Sequence, residues 1–228
     1  MRRRRIRIVC GLGGVVALAL GAAYALADDT ISTAPAGFAY SQPTFTITGG
    51  QVARFSNTQG ISHSVSADDT KTLGGKPLFD SAIIPSGTGA VKGTQYLAPG
   101  DYKFHCAVHG PIMSAKLHVV GGTPVARPTL TLAITSTKLG KVRRTGKLKT
   151  TVSDAGSDAA GVALTAKLGR KTLASAKGLK LAAGESSPMA LKVSGAGQKA
   201  LKGKDQATIK LTGTVAFGPP AHAKRTLK

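Results

Sequence analysis

The sequence predicts an all-β chain built as two sandwiches in series. Three observations carry this expectation. Aromatic residues make up only 4% of 228 residues and there is no Trp, while Ala, Gly and Thr are the commonest residues; such a composition suits short strands and turns rather than long helices. Runs of alternating apolar and polar residues recur along the chain, closed by Gly or Pro. The charge splits at a stretch rich in Gly and Pro, Gly121-Gly-Thr-Pro-Val-Ala-Arg-Pro128. Asp28 to Gly121 carries six Lys+Arg and six Asp+Glu, whereas Gly122 to Lys228 carries twenty and four. Two modules of unlike physics are therefore expected, at 43–120 and 129–228, with 121–128 as the linker. A hydrophobic content of 42% is enough for one or two cores.

The first 27 residues read as a targeting segment, a signal peptide. Arg2, Arg3, Arg4, Arg5 and Arg7 precede an uncharged, mostly apolar run from Ile8 to Leu26, and Ala25-Leu26-Ala27 has the small-x-small form of a cleavage site. An uncleaved anchor is the competing reading, because the run is nearly long enough to span a bilayer; Gly11, Gly13, Gly14 and Gly21 weaken a permanent helix. The expected location is therefore outside the cytoplasm: extracellular, cell-envelope or periplasmic. Cleavage leaves Cys106 as the one cysteine of the mature chain. In a compartment where disulfides form, a lone cysteine is a buried apolar residue, a bridge to another chain, or a metal ligand.

Residues 28–42 are expected as a flexible N-terminal lead-in. Pro43 to Thr48 alternates and meets the turn at Gly49-Gly50. Gln51 to Asn57 is expected as a strand, with Val52 and Phe55 as core anchors, and Thr58 to Ile61 as a loop that delivers His63. Ala90 to Leu97 reads as a further strand, followed by a Pro-Gly turn at Ala98 to Asp101. Tyr102, Phe104 and Cys106 then share one strand face, and Met113, Ala115, Leu117 and Val119 share another. In the second module, alternation recurs at 130–134, 148–152, 162–168, 189–193 and 209–215, with a hairpin turn at Gly169-Arg-Lys171 and a helical turn at 196–201. About seven short strands suggest an immunoglobulin-like sandwich.

Chemistry concentrates between Cys106 and Met113. A thiolate, a thioether and imidazoles are soft donors, and two His, one Cys and a weak Met mark an electron-transfer copper centre. Cys106, His109 and Met113 lie together, and His63 is the candidate for the second imidazole. Zinc is the alternative metal for Cys and His, but a Met adds nothing to a zinc site. A metal-free sandwich is the bland alternative. His105, His118 and His222 read as outward-facing residues.

The segments Gly50-x-x-x-x-Phe55-x-Asn57, His63-Ser-Val65, Leu78-Phe-Asp-Ser81, Pro99-Gly-x-Tyr-x-Phe-x-Cys106-x-x-His109 and Met113-x-Ala-x-Leu-x-Val119 occur in the order found in cupredoxins. Most of 43–120 thus resembles that family of small blue copper proteins, which includes plastocyanin, pseudoazurin and amicyanin. The resemblance implies a Greek-key cupredoxin β-sandwich and one mononuclear type 1 copper held by His63, Cys106, His109 and Met113. It also implies that Asn57 ties the first ligand loop to the cysteine loop, and that His109, with Gly110, Pro111, Ile112 and Ile61, forms an electron port. Two features depart from the pattern. Three residues separate His109 from Met113, as in azurins but not in plastocyanins (four) or amicyanin (two), and Ala107-Val108 lacks the proline that many relatives carry.

Three functions are carried forward. The chain is an exported carrier of single electrons, an envelope copper-binding or copper-delivery protein, or a cell-surface structural protein with an incidental copper site. No Ser-His-Asp ordering, acid pair or phosphate loop points to an enzyme. The redox partner is not specified by the sequence. The charge of the second module would draw it to an anionic cell-wall polymer or a membrane surface, and no nucleic acid is expected as a partner. Val193-Ser-Gly-Ala-Gly-Gln-Lys-Ala-Leu201 and its flanking strands resemble immunoglobulin-like modules at the ends of exported proteins.

Overall fold

The computed structural model describes residues 29–228, so the expected targeting segment lies outside the described residues. No helix among the described residues is long and apolar enough to cross a membrane. The chain is all-β and holds two apolar cores, one drawn from Ile31 to Val119 and the other from Leu130 to Leu227.

The first sandwich uses β1 (Thr30–Ser32), β2 (Thr44–Thr48), β3 (Ala53–Asn57), β4 (Ser66–Ala67), β5 (Gly87–Val91), β6 (Gly100–Cys106) and β7 (Gly110–Val120). One sheet has the order β1-β3-β5 and the other β2-β7-β6-β4. Met113, Ala115, Leu117 and Val119 of β7 are all buried, as the alternation requires, and pack with Phe45, Phe55 and Phe104. Three expectations are corrected. Val52 is 44% exposed while Ala53 and Phe55 are fully buried, because residues three apart cannot share a strand face. Ala90 to Leu97 is not one strand: β5 ends at Val91 and a 3-10 turn covers Thr94–Tyr96. Thr94 is buried there, and its hydroxyl takes the Ala53 N–H. Finally, the supposed lead-in is built into the fold. β1 pairs in parallel with β3, and Ile31, Thr33 and Tyr40 are buried. Its apolar residues are too sparse to show a period, so the sequence signal was weak.

The second sandwich packs β12-β9-β8 against β11-β10-β13-β14. Its strands are β8 (Leu130–Ile134), β9 (Lys147–Asp154), β10 (Ala159–Leu168), β11 (Lys171–Leu181), β12 (Ser186–Lys192), β13 (Ala207–Thr214) and β14 (Ala221–Leu227). Two short helices, α1 (Leu139–Thr145) and α2 (Gly195–Leu201), cap one end. α1 buries Leu139 and Val142 and stops at Gly146, whose φ of 63° is left-handed.

The linker is pinned at both sides. The Val125 N–H donates to Gln95 O at 2.9 Å. Arg127 lies over the Tyr96 ring and donates to Phe217 O at 3.1 Å. The Phe217 ring comes so close to Gly93 that a Cβ there would sit 2.7 Å from it, and Gly93 has φ +98°. Only glycine suits that position.

Candidate metal centre

Cys106 closes β6 on its core-facing side and is fully buried. The chain then turns: the His109 N–H donates to Cys106 O at 3.2 Å. That turn places His109 Nδ1 3.4 Å from Cys106 Sγ. His63 arrives from another segment, fixed by a reciprocal backbone pair with Ile84 at 3.1 and 2.8 Å. Its Nδ1 lies 3.9 Å from the same sulfur. The donor atoms of His63, Cys106 and His109 all fall within 4.8 Å of one another. Met113 is fully buried in the same core, near the start of β7. Asp68 bonds His105 at 2.6 Å and Asp101 bonds His118 at 2.5 Å, both at exposed positions. His222 faces Thr212 in the second sandwich.

The environment fixes which nitrogen of His63 faces the sulfur. Gln59 Nε2 donates to the carbonyls of Ala34 at 2.7 Å and Gly37 at 3.0 Å. Its amide oxygen is therefore the atom left to face His63 Nε2, at 3.1 Å. An oxygen only accepts, so Nε2 carries the proton and Nδ1 presents its lone pair to the centre. Burial, helped by the nearby His109, holds the His63 pKa below the ordinary imidazole range. The neutral ring that a metal requires is thus the favoured form.

Ser64 joins the two ligand segments. Its N–H points at Cys106 Sγ at 3.4 Å, and its Oγ accepts the Ala107 N–H at 2.9 Å. The Ser64 carbonyl accepts from the buried Tyr40 hydroxyl at 2.6 Å, whose pKa burial pushes far up. Asn57 differs from its expected role. Its amide nitrogen faces the carbonyls of Ile61, Ile84 and Pro85 at 2.7 to 3.0 Å, and its Oδ1 takes the Gln59 N–H. Asn57 ends β3 opposite Gly87 of β5, so it reaches the 84–85 segment rather than the cysteine loop. Ser64 performs the tie assigned to it. Phe38 is a further residue that sequence reasoning missed. Its ring packs on His109 with centroids 4.4 Å apart. A lone aromatic among the small residues 34–39 was the available signal.

No protein-family model and no curated protein matches the chain. Auracyanin A, a "blue" copper protein from the green thermophilic photosynthetic bacterium Chloroflexus aurantiacus, is a similar solved structure. It is 20% identical, with 40% of this chain and 96% of that chain covered and a TM-score of 0.33. A reduced amicyanin variant is 22% identical over 40% of this chain and 80% of its own, with a TM-score of 0.32. At such identity and TM-score no residue role passes from these proteins to this chain.

The donors themselves decide what the centre suits. One thiol sulfur and two imidazole nitrogens converge, no carboxylate belongs to the group, and a thioether shares the core. This set fits a soft, thiophilic transition metal.

Proposed function

We propose that this chain is an exported electron carrier that holds one copper ion at His63, Cys106, His109 and Met113. The convergence of a buried thiol with two imidazoles, one of them fixed as the Nδ1 donor, is the observation that carries this reading. Copper held there would supply a one-electron couple, Cu(II)/Cu(I). The chain's own contribution is rigidity: Gln59, Asn57 and Ser64 lock the ligand segments to the backbone around them.

The rim supports transfer to a partner. Seven large apolar side chains are exposed among the described residues, and five belong to segments beside the donors: Phe38, Ile61, Ile83, Val108 and Ile112. Segments 34–39, 58–62, 82–86 and 107–112 contain no charged residue. An uncharged apolar rim around a half-buried His109 suits brief docking with a redox partner.

The test uses purified protein loaded with Cu(II). Intense visible absorption from sulfur-to-copper charge transfer is expected, with a matching EPR signal, and Cys106→Ser should abolish both. A colourless copper-loaded protein rejects the reading. Fast electron exchange with a soluble redox protein, without loss of copper to a metal-free acceptor, separates carriage from delivery.

A further inference from the structure

We propose that the end of the second sandwich farthest from the linker binds a linear phosphate-bearing polymer. The inference rests on how charge is distributed along that module. Its connections alternate between two ends. The near end holds the linker and the turns 155–158, 182–185 and 215–220, as the contacts of Pro128 and Arg127 with Gly156, Phe217 and Gly218 show. The far end holds 135–146, the hairpin at 169–170, 193–206 and the C-terminal Lys228. Bonds from Leu139 to Lys228 and from Arg143 to Lys204 draw these together.

Acids and bases divide between these ends. Asp158 and Glu185 lie on the near-end connections, where Arg127 is the one cation. Of the twenty Lys and Arg that follow Gly121, nine lie on the far-end connections or at Lys228, with Asp205 as the single acid. The surface there is also indented. One cavity of about 240 Å³ is lined by Lys138, Lys141, Lys147 and Lys149 together with the hydroxyl residues Thr137 and Thr145. Two adjoining clefts are lined by Arg143, Lys199 and Lys202, and by Lys204 and Lys228.

These features select among polyanions. Ammonium groups at several points around one end match phosphates repeated along a chain, and hydroxyls match the polyol or sugar between them. The module's only aromatic, Phe217, is at the near end, so nothing here stacks on bases. No large apolar side chain is exposed at the far end, so nothing inserts into a bilayer. The proposal does not depend on the copper reading.

The purified chain should bind lipid-free poly(glycerol phosphate), with affinity falling steeply as salt rises. Changing Lys138, Lys141, Lys147 and Lys149 together to Gln should weaken binding roughly tenfold or more and flatten the salt dependence. Changing Lys76, Lys92, Lys177 and Lys180 to Gln removes equal charge away from that end and should alter the Kd less than about twofold. Equal effects of the two sets, no effect of the first, or tighter binding to phosphatidylglycerol vesicles or a single-stranded oligonucleotide would overturn the proposal.

Discussion

Replacing Gln59 with Leu tests how His63 is held. The side chain makes three hydrogen bonds: it accepts from His63 and donates to Ala34 and Gly37. Leu keeps similar bulk and removes all three. Each neutral bond contributes about 1 kcal/mol, so Gln59→Leu should cost up to about 3 kcal/mol of stability, less for the half-buried part. The bond to His63 has a separate consequence. Without an acceptor at Nε2 the proton is free to occupy Nδ1, the nitrogen that faces Cys106. Loss of such an orienting partner typically lowers metal affinity ten- to hundredfold, or about 1.4 to 2.7 kcal/mol. Competitive titration of Cu(II) against a chelator measures this. Gln59→Glu keeps the acceptor and loses the donors, so it should retain most of the affinity while making 34–38 more sensitive to limited proteolysis. Affinity unchanged in Gln59→Leu would refute the assignment of the Nδ1 donor.

Other outcomes are equally concrete. Ser64→Ala removes the acceptor for the Ala107 N–H and should lower stability by about 1 kcal/mol, a fall of about 4–8 °C in the melting of a module this size; an unchanged melting temperature contradicts the tie. Phe38→Ala removes the ring from His109, so diethylpyrocarbonate should modify His109 faster in the metal-free protein; an equal rate would show that the ring does not shield it. For pH, His63 has a folded pKa below its unfolded value near 6.5. The unfolded chain therefore binds more protons below that pH, and stability falls as pH drops from about 6.5 toward the lowered folded value. The melting temperature of metal-free protein should fall less steeply between pH 7.5 and 5 in His63→Gln; identical slopes would mean that His63 is not held neutral.

Much of the first sandwich was legible because its strands face water on one side. Period-two alternation in β6 and β7 announced Phe104, Cys106, Met113 and Leu117 as inward residues, and the structure buries them all. Where alternation gave way to turns, the sequence lost precision. Thr94 reads as part of a strand, yet Gly93 in a left-handed conformation starts a 3-10 turn there. The supports of the site were the least visible part. Ser64 and Phe38 reach Ala107 and His109 across more than forty residues of chain, and Gln59, four residues from His63, is anchored by the carbonyls of Ala34 and Gly37 more than twenty residues away; no residue pattern encodes such partners. Asn57 was noticed, but its direction was not, because that depends on which strand lies beside β3. The helix α1 was also unforeseen, since its apolar pair, Leu139 and Val142, spans a single turn.

The supports of His63 and His109 share a property beyond holding them still. Gln59, Asn57, Ser64 and Phe38 all lie outside the stretch from Cys106 to Met113. That stretch therefore behaves as a cassette set into a finished frame. Residues inserted or deleted between His109 and Met113 would change the cassette alone, and the imidazole of His63 would keep its bond to Gln59. Among proteins with this architecture, loop length becomes a variable that mutation can explore without dismantling the rest of the centre, and the three-residue spacing here is one setting of it.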